Sequence, residues 1–208
     1  MHFAGMSKIA ILVRHGESEA NVKNIASEDT EVFPLTEKGK DQAYKTGLEL
    51  KFLKGSFDKI FSSPVLRARE TAHEFLRGVD AEKQIKVLEY LKETSLGKFN
   101  NGHASKLPTL HKEEFGIESF LRNGERMSLA IKDRNGLNVY FSHMIPIKAV
   151  VCKYLRMEEE EAEGIHIKNA SFSIINVESE EVISIGSTKL SDNLRKRLVS
   201  LTSKKADQ

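Results

Sequence analysis

The chain has no tryptophan, one cysteine, four prolines and no excess of either charge, and each scarcity excludes something. A lone Cys152 cannot close an intramolecular disulfide, so the core must hold the fold and a reducing cytoplasm is the expected setting. The cysteine lies in the apolar run Ile147 to Leu155, where a buried, inert thiol is expected. With 32 Lys and Arg against 30 Asp and Glu, the net charge of +2 gives too weak a global field to argue for nucleic acid or an anionic membrane as partner. Recognition of an anion must therefore be local. No stretch approaches the length of a transmembrane helix. The start, MHFAGMSKIAILVRHGES, does not read as a signal peptide, because the run Ile9 to Val13 is too short and leads directly into charged residues. Met6 is an alternative start, since Met1 to Gly5 add nothing periodic.

What is present fits one domain spanning 1–208, at 39% hydrophobic and 30% charged residues. Lys8 to Val13 is an aliphatic run that stops at Arg14-His15-Gly16, as a core strand does when it delivers polar residues to its carboxyl end. Thr36 is placed to cap a helix whose apolar positions are Ala43, Leu48, Leu50 and Leu53. Lys59 to Phe61 reads as a second strand, Arg67 to Arg77 as a helix stopped by Gly78, and Ile85 to Leu88 as a small strand. The irregular span 97–124 is expected to be an insertion or lid facing substrate. Leu137 to Phe141 is a third strand, followed by Ser142-His143 and an apolar helix to about Leu155. Ser171 to Val177 and Val182 to Ile185 read as a hairpin or two neighbouring strands. The acidic run Glu158 to Glu163 is a solvated helix end or loop, and 202–208 is a flexible tail. Strands alternating with helices predict a three-layer α/β/α domain with a largely parallel central sheet. Ligands in such sheets bind at strand carboxyl ends, where three polar clusters fall.

Cleaving a phosphomonoester through a covalent intermediate needs a nucleophile, cations around the phosphoryl oxygens and an acid for the leaving oxygen. His15 stands beside Arg14, Arg67 follows the second strand and His143 follows the third. A neutral imidazole nitrogen can attack phosphorus, and the guanidinium fork matches phosphoryl oxygens.

Five segments occur in order: VRHGESEAN, LTEKGKDQA, SSPVLRARETA, LKETSLGKFNNG and YFSHMIPIKAV. Together with NASFSIINVE, they resemble the histidine phosphatase superfamily, also called the phosphoglycerate mutase-like superfamily, over most of the chain from Ile9 to about Asn193. The resemblance implies the phosphoglycerate mutase-like fold and a phosphoryl-transfer enzyme. It makes His15 the phosphorylated nucleophile, Arg14 and Arg67 phosphate ligands, and His143 the second catalytic histidine. It also implies that Asn21 lines the phosphate pocket and that Glu93 is the general acid and base, with Glu89 close by as the alternative if the segment slips. His2, His73, His103, His111 and His166 have no matching context, although His103 and His111 fall in the expected lid. No pair of histidines has metal-ligand spacing, so no metal is expected. Met144 stands where the family commonly has glycine, and a side chain there narrows the pocket.

Within the family, water as second acceptor gives a phosphatase and a bound phosphoglycerate gives a mutase, with 2,3-bisphosphoglycerate as cofactor. The absence of tryptophan and of the mutases' Glu-Arg-His-Tyr-Gly stretch favours a phosphatase acting on small phosphomonoesters, with no cofactor. Lys98, Lys106 and Lys112 keep the mutase open as carboxylate ligands, and a non-enzymatic ligand-binding relative is the third reading. A homodimer is left open.

Overall fold

Ile9 to Val13 is buried on both faces, which explains an unbroken aliphatic run in place of an alternating one. The computed structural model describes residues 7–108 and 112–203. Thr109 to His111, Met1 to Met6 and 204–208 lie outside the described residues, as do the readings made for His2, His111 and the alternative start. In chain order the elements are β1 (Lys8–Arg14), α1 (Glu19–Val22), β2 (Ile25–Ala26), α2 (Glu37–Leu50), β3 (Phe57–Ser62), α3 (Leu66–Val79) and β4 (Ile85–Val87). They continue with β5 (Gly102–His103), α4 (Phe120–Ile131), β6 (Gly136–Ser142), α5 (Met144–Leu155), β7 (Phe172–Asn176), β8 (Glu181–Ser187) and α6 (Asp192–Ser203).

Six strands form one sheet in the order β4-β3-β6-β1-β7-β8. The first four are mutually parallel, and β7 and β8 run antiparallel as a terminal hairpin. The sheet is therefore mostly parallel, with helices on both faces. Residues of α2, α3 and α6 pack on one face against Ile9, Ile11, Val13, Val139 and Phe141. Residues of α4 and α5 pack on the other against Ala10, Leu12 and Tyr140. Each fully buried side chain such as Phe75 or Leu12 contributes about 1.5–3 kcal/mol of transfer free energy, which makes these two layers the source of stability. Cys152 is buried in the second layer's helix. No described helix is long and apolar enough to cross a membrane.

Thr36 caps α2 by accepting a hydrogen bond from Gly39 N. Three boundaries differ from the sequence reading. Gly78 does not stop α3, which runs to Val79 and ends on Asp80 at φ 59°. Gly78 serves packing instead: a Cβ there would stand 2.1 Å from Tyr44 O, and one on Gly47 would stand 2.2 Å from Phe75 O, so α2 and α3 cross backbone to backbone. The irregular span ends before Gly124, because α4 already starts at Phe120 with Ser119 as its cap. That helix hid because polar Asn123 and Gly124 are on its buried face while Leu121 and Leu129 are exposed. Thr202, read as the start of the tail, belongs instead to α6, which carries Leu198 and Thr202 inward and extends to Ser203.

Candidate active site

Parallel strands present their carboxyl ends on one edge, and here β1, β3 and β6 end side by side, with Arg14 opposite Ser142 and Ser62 opposite Phe141. The residue after each end is polar: His15, Ser63 and His143. The His15 and His143 rings lie 5.2 Å apart, and both side chains are buried. Arg67 reaches the same point from the first turn of α3, buried to 3% exposure. Glu93 arrives from the loop beyond β4, with Oε2 3.3 Å from Arg67 Nη2 and 3.3 Å from His143 Nδ1. The structure thus brings Arg14, His15, Arg67, Glu93 and His143 together, and it is Glu93 rather than Glu89 that joins them.

Hydrogen bonds fix the chemistry of His15. Nδ1 lies 2.7 Å from Gly16 O, and a carbonyl can only accept, so Nδ1 carries the proton. Nε2 therefore holds the lone pair, which accepts from Arg67 Nε at 3.2 Å. Burial, then the charges of Arg67 and Arg14, hold the imidazole well below its ordinary pKa, so it stays neutral and nucleophilic. Burial, then Arg67, does the same to His143. Burial drives Glu93 the other way, raising its pKa against the pull of Arg67, the Thr94 N–H and Arg14. A carboxyl group so raised can hold a proton for a leaving group.

Among the described residues, Arg14 Nε, Arg67 Nη1 and His143 Nδ1 are buried with no hydrogen-bond partner. Buried donors without partners cost free energy, and the two guanidinium nitrogens belong to residues whose charges act directly on His15, so the site calls for an anion. Asn21 sits on the rim, its Oδ1 accepting from Ser18 N at 3.0 Å and from Asn169 Nδ2 at 3.1 Å, so it braces the loop after His15. Met144 is 41% exposed at the start of α5.

Folding also brings together a trio the sequence spacing did not reveal: ligand atoms of His15, Glu93 and His143 all lie within 4.8 Å of one another, a possible cradle for a metal ion. The two guanidinium groups beside it repel a dication and favour an anion in its place. Activity is expected to survive a chelator in excess. Loss on chelation, restored by one added metal, would place a cation in the trio.

Several supporting residues were not singled out in the sequence, although Thr71 and Asn169 fall within the segments SSPVLRARETA and NASFSIINVE. Thr71 Oγ1 accepts from Gly16 N at 3.0 Å and donates to Arg67 O at 2.6 Å, which ties the loop after His15 to the arginine's helix. Ser27 O accepts from Arg67 Nη2 at 2.8 Å. Asn169 Nδ2 donates to His15 O at 3.2 Å. On α4, Arg126 donates to Tyr90 O and Lys92 O at 2.7 and 2.9 Å and pairs with Glu118, so it anchors the loop that carries Glu93. Each acts across tens of residues, beyond what local spacing can show. Ser63 too had a hint, its place before Pro64 at a strand end.

The histidine phosphatase superfamily (branch 1) matches this chain over residues 10–185. A relative from Thermoplasma acidophilum, a 2,3-bisphosphoglycerate-dependent phosphoglycerate mutase, is 37% identical over 200 residues, covering 92% of this chain and 98% of its own. Among solved structures, YhfR from Bacillus stearothermophilus superposes with a TM-score of 0.73 at 21% identity, covering 88% of this chain and 98% of that one. The alpha-ribazole phosphatase from Shigella flexneri superposes with a TM-score of 0.71, also at 21% identity and with the same coverage.

Proposed function

The chain belongs to the histidine phosphatase superfamily, an enzyme family, and on that premise we propose that it is a phosphatase that hydrolyses small phosphomonoesters through a phosphohistidine on His15. The observation that carries this reading is the burial, without hydrogen-bond partners, of Arg14 Nε, Arg67 Nη1 and His143 Nδ1 in the site that holds the His15 Nε2 lone pair. Phosphoryl oxygens accept from Arg14 Nε, Arg67 Nη1 and His143 Nδ1, which spreads the negative charge that builds in the transition state. Phosphorus takes the place Arg67 Nε holds at rest, the N–P bond forms, and the P–O bond to the alcohol breaks. Glu93 gives its proton to the departing oxygen. The resulting carboxylate then takes a proton from water, whose oxygen attacks phosphorus, and the N–P bond breaks to release phosphate. Throughout, the Gly16 carbonyl holds the Nδ1 proton and keeps the ring aimed.

Water is favoured as acceptor by the character of the cleft next to Glu93, about 690 Å³ in volume. Its walls carry the carboxylates of Glu28, Glu89, Glu113, Glu118 and Glu125 against Lys92, Arg122 and Arg126, and Arg126 is already paired with Glu118. Such a lining disfavours a second anionic group on the substrate. Neither Lys98, which lies 4.3 Å over the Phe115 ring, nor Lys106 lines this cleft. A mutase is the second reading, favoured by the Thermoplasma acidophilum relative, and it would use 2,3-bisphosphoglycerate as cofactor. A panel of phosphomonoesters, run with and without 2,3-bisphosphoglycerate and scored for phosphate release and for isomerisation, tests both. Phosphate release unaffected by the bisphosphate is expected. Isomerisation of phosphoglycerate that depends on it and outpaces hydrolysis would establish the mutase instead.

A further inference from the structure

His143 offers one ring nitrogen to the phosphate site and the other to the interior. The inward nitrogen, Nε2, lies 2.9 Å from Ser63 Oγ, and both residues are fully buried. Which atom donates in that pair decides what His143 presents to substrate, and hydrogen-bond accounting answers it. Val65 N donates to Ser63 Oγ at 3.2 Å, which occupies one lone pair of the hydroxyl. Among the described residues the hydroxyl hydrogen has one recorded acceptor within reach, His143 Nε2. Were Nε2 protonated, a buried O–H would be left without a partner, at a cost of about 1–3 kcal/mol.

We propose that Ser63 is a positioning residue: its hydroxyl donates to His143 Nε2, locks the imidazole in the Nδ1–H tautomer, and so aims a donor instead of a lone pair at the phosphoryl oxygens. The geometry at Nδ1 agrees. That atom is buried, and although Glu93 Oε2 stands 3.3 Å away it forms no hydrogen bond with it, so the N–H remains available. The two histidines are thereby set as opposites by two neighbouring devices. The Gly16 carbonyl puts the proton of His15 on Nδ1 and turns a lone pair to phosphorus, while the Ser63 hydroxyl puts the proton of His143 on Nδ1 and turns that proton to oxygen. The alternative tautomer would set a lone pair against phosphoryl oxygens and convert an attraction into a repulsion.

The catalytic half of this inference rests on the phosphohistidine reading above; the tautomer does not, and the experiments separate them. Long-range proton–nitrogen NMR of the histidine-labelled free protein, with His143 assigned by comparison with His143→Gln, reads the tautomer without any substrate. Neutral Nδ1–H is expected at His143, and a proton on Nε2 would overturn the proposal even if Ser63 variants failed to fold. In Ser63→Ala the single tautomer should give way to a mixture. The single-turnover rate of phosphoryl transfer to His15 should then fall roughly 10²-fold, as for loss of one oriented donor, with KM little changed and with partial recovery in Ser63→Thr. An unchanged transfer rate, or a loss confined to KM, would refute the positioning role. Wild-type enzyme that forms no phosphohistidine would instead refute the functional reading and leave the tautomer assignment standing.

Discussion

His15→Ala is expected to abolish turnover, with a loss of roughly a million-fold, as when a covalent nucleophile is removed from a site whose binding groups remain. Wild-type enzyme mixed with labelled substrate and quenched in alkali should carry label on histidine, because phosphohistidine survives alkali. The variant should carry none. Expectation and geometry meet at one atom: Nε2 is the lone-pair nitrogen because Nδ1 is committed to Gly16 O, and burial with two neighbouring guanidinium groups keeps the ring neutral. Alanine leaves Arg14, Arg67 and His143 in place, so the variant should still bind phosphate. Label on serine in the wild type, or full labelling of His15→Ala, would refute the assignment.

Glu93→Gln is expected to slow alkyl phosphates about 10²- to 10⁴-fold, the range for loss of a general acid, and aryl phosphates far less. An alkoxide leaves poorly and needs a proton, whereas a phenolate with an electron-withdrawing ring does not. Burial raises the Glu93 pKa more than the nearby guanidinium groups lower it, which favours the protonated form that the first step requires. Its carboxylate form is what the second step requires, so the phosphohistidine should also persist longer in the variant. Rates on nitrophenyl and simple alkyl phosphates, measured side by side, check the first claim, and decay of trapped phosphoenzyme checks the second. Equal losses on both substrate types, or a larger effect from Glu89→Gln, would show that the wrong carboxylate has been assigned.

The parts of the fold that were legible in the sequence are those where one face or one run decides the matter. β1, β3 and β6 announce themselves because strands buried on both faces must be continuously apolar. α4 was not read from the sequence, because its buried face includes Asn123, a polar residue made acceptable by bonds from Thr94 Oγ1 and Arg126 Nη2. α6 was missed although Leu194, Leu198 and Leu201 stand at helical spacing against the core, a narrow stripe in an otherwise polar and basic segment. The site follows the same division. His15, Arg14 and His143 were readable because each ends a strand or follows directly from one. Ser63 follows β3 just as closely, but its link to a ring eighty residues later was not readable, nor was that of Arg126 to carbonyl groups on a loop more than thirty residues earlier.

The position of β1 in the sheet also bears on how the protein is made. β1 precedes the other described strands, yet both strands that hold its edges, β6 and β7, are encoded more than a hundred residues later. Until those arrive, Ile9 to Val13 is an uncovered aliphatic ribbon with two open edges, the kind of segment that associates with other unfinished chains. His15 thus precedes its neighbours Arg67, Glu93 and His143 in the chain, and they converge on it only when β6 slots in beside β1. Folding of this enzyme therefore leaves the edges of β1 unpaired until β6 and β7 have been made.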